Sequence, residues 1–293
     1  MKSKNELTVE INAVLAELTS EIKKQNLEIP SPPDLLLQLR SLVNDERSTA
    51  NDIAELVKLD PNISIRLIKV ANSALLGARV HVTSAQAAVT RLGSAKVQNL
   101  VTGLVIAQNF MKGKTRGLES YFNGIWQQSN NVAAIAYVLA QKKTKLDPEE
   151  ALLAGMIHNI GVTPLILKLS SSSSFKANPS LLKKVADIVI PKLYQSAGKL
   201  ILDNWKFSST LSQITLTHNK FDRSSPGDFN LNDLILIASE LNKLEDMTDV
   251  NGIPEILVET EIFKKLWADW PEAISDLEGL KPDIAQMKSA IAN

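Results

Sequence analysis

Apolar residues along this chain recur at intervals of three and four, the period of an amphipathic helix. Nowhere do they alternate convincingly over a strand-length run. Leu35, Leu36, Leu39, Leu42 and Val43 form one such set, after a start at Ser31-Pro32-Pro33-Asp34 that places a Ser at the cap and Pro at the first helical position. Thr49 with Asp52 starts a second helix, which turns Ile53, Leu56 and Val57 inward. Asp60-Pro61 breaks it and caps a third, expected to carry Ile65, Ile68, Leu75 and Leu76 and to stop at Gly77. Thr83 with Gln86 reads as a capping box for a helix ending at Leu92-Gly93. Ser94 then caps a long apolar helix through Val97, Val101, Leu104 and Val105.

Residues 111–118, MKGKTRGL, read as a joint between two helical halves. Gly113-Lys114-Thr115 resembles the end of a phosphate-binding loop, but Gln108 stands where the first Gly is required. Beyond the joint, helices are expected at 121–141, from Asp147-Pro148 to Ile160 with Gly161 and Pro164 ending it, and at 181–205, 211–218, 231–244 and 254–267. A final helical segment follows, and Ser170 to Ser174 read as a mobile loop. The fold class is all-α.

Composition narrows the chemistry. The 293 residues contain no Cys, which excludes disulfides, thiolate metal sites and Cys nucleophiles. Glu6, Glu10, Glu17 and Glu21 interrupt the N-terminal apolar stretch, so it is not a secretory signal. No apolar run reaches the roughly 18–20 residues that span a bilayer, and a cytoplasmic protein away from membranes is expected. Net charge is zero but uneven. Residues 1–60 hold 7 basic and 11 acidic side chains, residues 61–220 hold 19 and 6, and residues 221–293 hold 6 and 15. The acidic ends are expected to fold back on the basic middle. The middle lacks a dense Lys/Arg tract with interleaved aromatics, which argues against a nucleic-acid partner.

The candidate chemistry lies in GMIHNIG, Gly155 to Gly161. His158 shares a helix face with Ala151, Ala154 and Gly155, small residues that let another helix approach closely. A second His-Asn pair, His218-Asn219, stands at a helix end, where His218 shares a face with Leu211, Ile214 and Thr215. The remaining His, His81, has no evident partner. Both His-Asn pairs are consistent with buried imidazoles satisfied by hydrogen bonds. Asn72-Ser73 reads as a polar link between helices, and the four Trp as core or half-buried plugs.

Taken together, several segments resemble the HDOD family, the HD-related output domains of bacterial signalling proteins. Ile29-Pro30 opens the match. Asp60-Pro61 with Leu67 to Ala71, Asn72 and Ser73 resembles its Asp-Pro…Leu…Ala-Asn-Ser stretch. Ser84, Gln86, Ala87, Leu92 and Gly93 follow. Trp126 and Ser129, Ala151 to Gly161, and Gly198 with Trp205 complete it. The resemblance covers roughly residues 27–245 and implies an HD-like architecture of two packed helical subdomains. It divides the chain into an N-terminal helical extension (1–26), an N-terminal half (27–112), an HD-like half (118–245) and an acidic C-terminal segment (246–293).

Related HD phosphohydrolases hold one or two divalent metals on His and Asp side chains. Carried onto this chain, the resemblance places those positions at Gln128, His158, Asn159, Tyr194, His218 and Ser239, the positions of Tyr194 and Ser239 being set by spacing. Only two imidazoles and no carboxylate remain, so no metal or other cofactor and no catalytic residue is expected. The leading expectation is a non-catalytic binding or regulatory module in bacterial signal transduction, with an unidentified signalling protein as partner. The alternatives are a metal-dependent phosphohydrolase acting on a nucleotide or cyclic dinucleotide, and a sensor that binds a nucleotide without hydrolysing it.

Overall fold

The computed structural model describes residues 4–76, 80–110, 118–172, 178–244, 247 and 255–292. Among them there is no strand, and the fold is all-α. The joint expected at 111–118 lies outside the described residues apart from Leu118, as do the helix stop at Gly77, residues 173–177 of the polyserine segment and the boundary near 245. By packing, the chain forms two units. One comprises Met1–Ser31, Phe110–Gln127 and His158–Leu216. The other comprises Pro32–Asn109, Gln128–Ile157 and Thr217–Asn293. These units interleave along the chain, whereas the family resemblance divides it serially; packing units and family limits are different divisions.

The first unit is built from α1 (Lys4–Lys23), the start of α7 (Glu119–Lys143), α9 (Val162–Ser171), α10 (Pro179–Asn204) and most of α11 (Ser209–Thr217). α10 packs on both α9 and α1. Ile11 and Leu18 of α1 join Leu165, Ile166, Leu169, Val185, Val189 and Ala197 in one core. The N-terminal helix therefore completes this core. Trp205 ends α10 and donates from Nε1 to the carbonyl of Pro30 at 3.0 Å, which ties the segment after α1 to the unit.

The second unit holds α2 (Asp34–Asn44), α3 (Ala50–Lys58), α4 (Pro61–Ala71), α5 (Ala85–Leu92), α6 (Ser94–Phe110), most of α7, α8 (Pro148–Ile157), α12 (Leu231–Leu241), α13 (Glu255–Val258), α14 (Glu261–Lys264) and α15 (Trp270–Ile291). The Thr49–Asp52 capping box forms as expected. Asp60 caps α4 by accepting from the backbone N–H groups of Asn62 and Ile63. Gly93 ends α5 at φ 82°, a value that L side chains resist.

Several local expectations are corrected. Ser31 caps nothing: Pro33 is the N-cap of α2, with ψ at 141° and no side-chain cap. A residue before Pro is held out of the helical region, so Pro32 cannot open the helix. α4 stops at Ala71, and its inward face is Ile63, Arg66, Leu67, Val70 and Ala71, while Ile65 is 53 % exposed. Asn72 stops it, exchanging two hydrogen bonds with the backbone of Val82 (2.7 and 2.8 Å). Ser84, not Thr83, caps α5. Ser94 is the first residue of α6, and the N–H of Val97 bonds the carbonyl of Gly93. α8 stops at Ile157; the chain turns through 158–161 and resumes as α9, with Pro164 in its first turn. Ser170 and Ser171 are helical. The segment at 254–267 is two short helices, because Thr260 caps a new start. Residues 148–171 are long and apolar enough to cross a membrane by length and composition, contrary to expectation, but 83 % of the most apolar window is buried in the protein.

The acidic ends do meet lysines of the middle. Lys168 lies 2.8 Å from Glu21 and 4.0 Å from Glu17, within the first unit. In the second, Lys142 pairs with Asp283 at 3.2 Å, and Lys143 pairs with Asp276. Asp276 also accepts from the indole of the buried Trp267 at 2.8 Å. Lys143, and then Trp267, hold its carboxyl below the usual 3.8, against the raising effect of burial. A depressed carboxylate stabilises the fold above its unfolded pKa and ceases to do so as pH falls through the folded value. The unfolding stability of Asp276→Asn should therefore fall below that of the native protein near neutrality. The two should converge as pH drops below about 3.8. Urea titrations of both proteins between neutral and acid pH check this.

Candidate functional site

Gly161 decides the geometry around His158. A Cβ there would overlap the carbonyl oxygen of Tyr194 and the backbone nitrogen of Gly198, and would sit 2.8 Å from the Gly198 Cα. Gly198 is itself pressed by Thr215, whose Cγ2 would be 3.0 Å from an added Cβ. Two glycines thus let the 158–161 turn lie directly against the backbone of α10. This sets the end of the turn that carries His158 and Asn159 against the backbone of Tyr194 and Gly198 in the first unit. In the second unit Gly155 plays the same part for α8, since its Cβ would fall 2.6 Å from the Ala133 nitrogen on α7.

Each position expected from the sequence can now be located. His158 is 1 % exposed and His218 3 %, and neither is without a partner. Asn159 is buried, and its Nδ2 has no acceptor. Tyr194 is half-buried, and burial, with Tyr121 as a second cause, pushes its phenol up to about 12. Gln128 is half-buried on α7, and Ser239 is buried on α12 with an unpartnered hydroxyl. His158, Asn159 and Tyr194 belong to the first unit; Gln128, His218 and Ser239 belong to the second.

These side chains do not fit a divalent metal centre. Such an ion needs several imidazole or anionic donors, and two imidazoles with no carboxylate neither complete its coordination nor balance its charge. Asn159 can offer a metal only a neutral amide oxygen, which does not balance its charge. Tyr194 stays a neutral phenol at physiological pH. Among the described residues, no group of three or more His, Asp or Glu side chains is placed to hold a metal ion.

Other polar centres escaped the sequence reading. Asp233 on α12 is fully buried. It accepts from Ser225 Oγ at 2.8 Å to both carboxylate oxygens and from the Asn230 N–H at 3.2 Å; Arg223 also bonds it, and Lys265 lies 3.6 Å away. Asn230 and Asp233 form the capping box that opens α12, and the ionic partners of Asp233 come from outside that helix. Glu149, in the first turn of α8, is 2 % exposed and faces Lys96 of α6 at 3.3 Å. Asn72 does link elements as expected, and Arg91 donates to the Ala71 carbonyl beside it at 3.0 Å, whereas the Ser73 hydroxyl is buried without a partner. Trp205, Trp267 and Trp270 are buried, and Trp126 is half-buried.

Comparison with known proteins agrees with this architecture. The chain is 23 % identical over 228 residues to an uncharacterised protein of Treponema pallidum (strain Nichols); the match takes in 72 % of this chain and 42 % of the relative, so it spans less than half of that protein's length. A solved structure from Shewanella amazonensis SB2B, provisionally named a metal-dependent phosphohydrolase, superposes with a TM-score of 0.74 at 20 % identity, covering 96 % of this chain and 99 % of its own. Another, from Marinobacter aquaeolei VT8 and provisionally named a signal transduction protein, gives a TM-score of 0.59 at 22 % identity, covering 96 % of this chain and 66 % of its own. At these identities the likeness shows the fold, which is HD-like. The HDOD domain model matches residues 29–221, more than half of the sequence, and the chain therefore belongs to the HDOD domain family.

Proposed function

We propose that this protein is a non-catalytic regulatory module of bacterial signal transduction that acts by binding a partner. The observation that carries this reading is Asn159: a buried amide with an unsatisfied N–H group stands where a hydrolytic centre would need a carboxylate. The neutral side chains of Gln128, Tyr194 and Ser239 support it, as does membership in the HDOD family. The signalling context draws on the name of the Marinobacter relative. The competing reading is a metal-dependent phosphohydrolase acting on a nucleotide or cyclic dinucleotide. It is favoured by the two retained buried imidazoles and by the name of the Shewanella protein.

Metal analysis separates the two. Protein produced in medium supplemented with manganese, iron and zinc, and purified without chelator or nickel resin, should carry less than about a tenth of an equivalent of any of them. It should not hydrolyse bis-p-nitrophenyl phosphate above a His158→Ala control. Near one equivalent of metal, with turnover that His158→Ala removes, would establish the hydrolase. Asn159→Asp restores one carboxylate but not the other donors, so it too should bind no metal and should stay inactive. This variant should also be less stable by about 1–3 kcal/mol in urea titrations, because it buries an unpaired charge-bearing group.

A further inference from the structure

Within the first unit, a cleft of about 310 Å³ opens between the segment after α1 and one face of α9. Glu28, Ile29 and Pro30 form one wall; Pro164, Leu167, Lys168 and Ser171 form the other. It is at the small end of the range for ligand sites, room for one long side chain and its attachment. The apolar lining comes from Ile29, Pro30, Pro164 and Leu167, and Leu167 is 38 % exposed there.

The charge around the cleft is unbalanced. Lys168 is the cation of its lining, and three carboxylates act on it: Glu21 at 2.8 Å, Glu17 at 4.0 Å, and Glu28. Their field raises the Lys168 pKa, Glu21 first. Among these four groups one ammonium faces three carboxylates. Glu21 spends one oxygen on Lys168, while its Oε2 is shielded from water and has no donor. An apolar trough that ends among surplus carboxylates is complementary to an aliphatic stem carrying a cationic head.

We infer that this cleft is a docking site for an arginine side chain of a partner polypeptide. The stem would lie along Ile29 and Leu167, and the guanidinium would be met by Glu28 and the Glu17–Glu21 pair. Arginine suits the site better than lysine, because a planar, weakly hydrated guanidinium can bond two carboxylates at once. Ser171 does not compete for the head, since its hydroxyl is turned to the Lys168 carbonyl at 2.8 Å. The inference takes from the preceding proposal only that the chain works by binding, and it concerns a different part of the first unit from His158.

The test uses the full chain and fluorescein-labelled acetyl-Ala-Leu-Arg-Leu-Ala-amide, read by fluorescence polarisation. A second peptide carries citrulline, the neutral isostere, in place of arginine. Saturable binding of the arginine peptide is expected, at least about tenfold tighter than the citrulline peptide. The double variant Glu17→Gln/Glu28→Gln should abolish that preference. Both side chains are exposed, Glu17 at 62 %, so the variant should keep the native helical circular dichroism. Equal binding of the two peptides, an unchanged preference in the folded double variant, or no saturable binding at millimolar protein would each overturn the assignment. Those failures leave the non-catalytic reading standing, because metal content and turnover decide it separately.

Discussion

Gly161→Ala is expected to cost at least about 3 kcal/mol of stability and to leave much of the protein unfolded at 37 °C. The added methyl would have to occupy space held by the Tyr194 carbonyl and the Gly198 backbone. Backbone cannot rotate aside as a flexible side chain can, so relief requires α9 and α10 to separate. That separation would open the core formed by Leu165, Ile166, Leu169 and Val189. The companion variant Gly124→Ala supplies the contrast. Nothing lies within 4 Å of the new methyl on α7, and relief of the glycine entropy penalty should make it about 0.5–1 kcal/mol more stable than the native chain. Urea denaturation of the two variants, followed by circular dichroism, tests both signs at once. Equal stabilities would show that the crossing at Gly161 tolerates a side chain.

Asp233→Ala should be nearly as damaging, costing about 3–5 kcal/mol, because it removes one partner from a buried ionic group. Arg223, whose side chain is only 14 % exposed, would lose this carboxylate, and Lys265 would keep its bonds to the Ser225 carbonyl and hydroxyl. The first turn of α12 would also lose its capping box. Asp233→Asn keeps the shape and part of the hydrogen bonding, so it should recover some of the loss but not the charge pairing. A cost below about 1 kcal/mol for Asp233→Ala would mean that water replaces the carboxylate, and that the network contributes little.

Both predictions concern features that the sequence shows only in part. Gly161 and Gly198 were visible as members of the family pattern. Their mutual contact was not, since 37 residues separate them and a glycine carries no signal of what it touches. Asp233 was missed for a related reason. A capping residue looks the same in sequence whether its carboxylate faces water or lies between an arginine ten residues upstream and the lysine that caps the end of α14.

Phase errors had a local cause. In α4, Ile65 and Ile68 seemed the natural inward pair. The buried face instead takes in Arg66, and Ile65 is exposed, because apolar residues occur on most sides of this helix and periodicity cannot choose among them. α8 has the same ambiguity: all its described side chains after Pro148 and before Glu150, and from Ala151 to Ile157, are buried, so no hydrophobic face stands out. Its end at Ile157 is set by the turn that carries His158 into the first unit.

What the sequence determined by itself is the helical class, the caps at Thr49 and Asp60, the family, and the loss of carboxylates from GMIHNIG and its matched positions. These follow from local physics and residue identity: period, capping chemistry, and the fact that an amide cannot act as a carboxylate. Tertiary structure alone decided that α1 completes a core, that the acidic ends pair with particular lysines, and that Glu21 and Glu28 converge on Lys168 beside an apolar trough. Those outcomes depend on which distant segments meet, and a linear pattern of polar and apolar residues says that a face must be covered without saying by what.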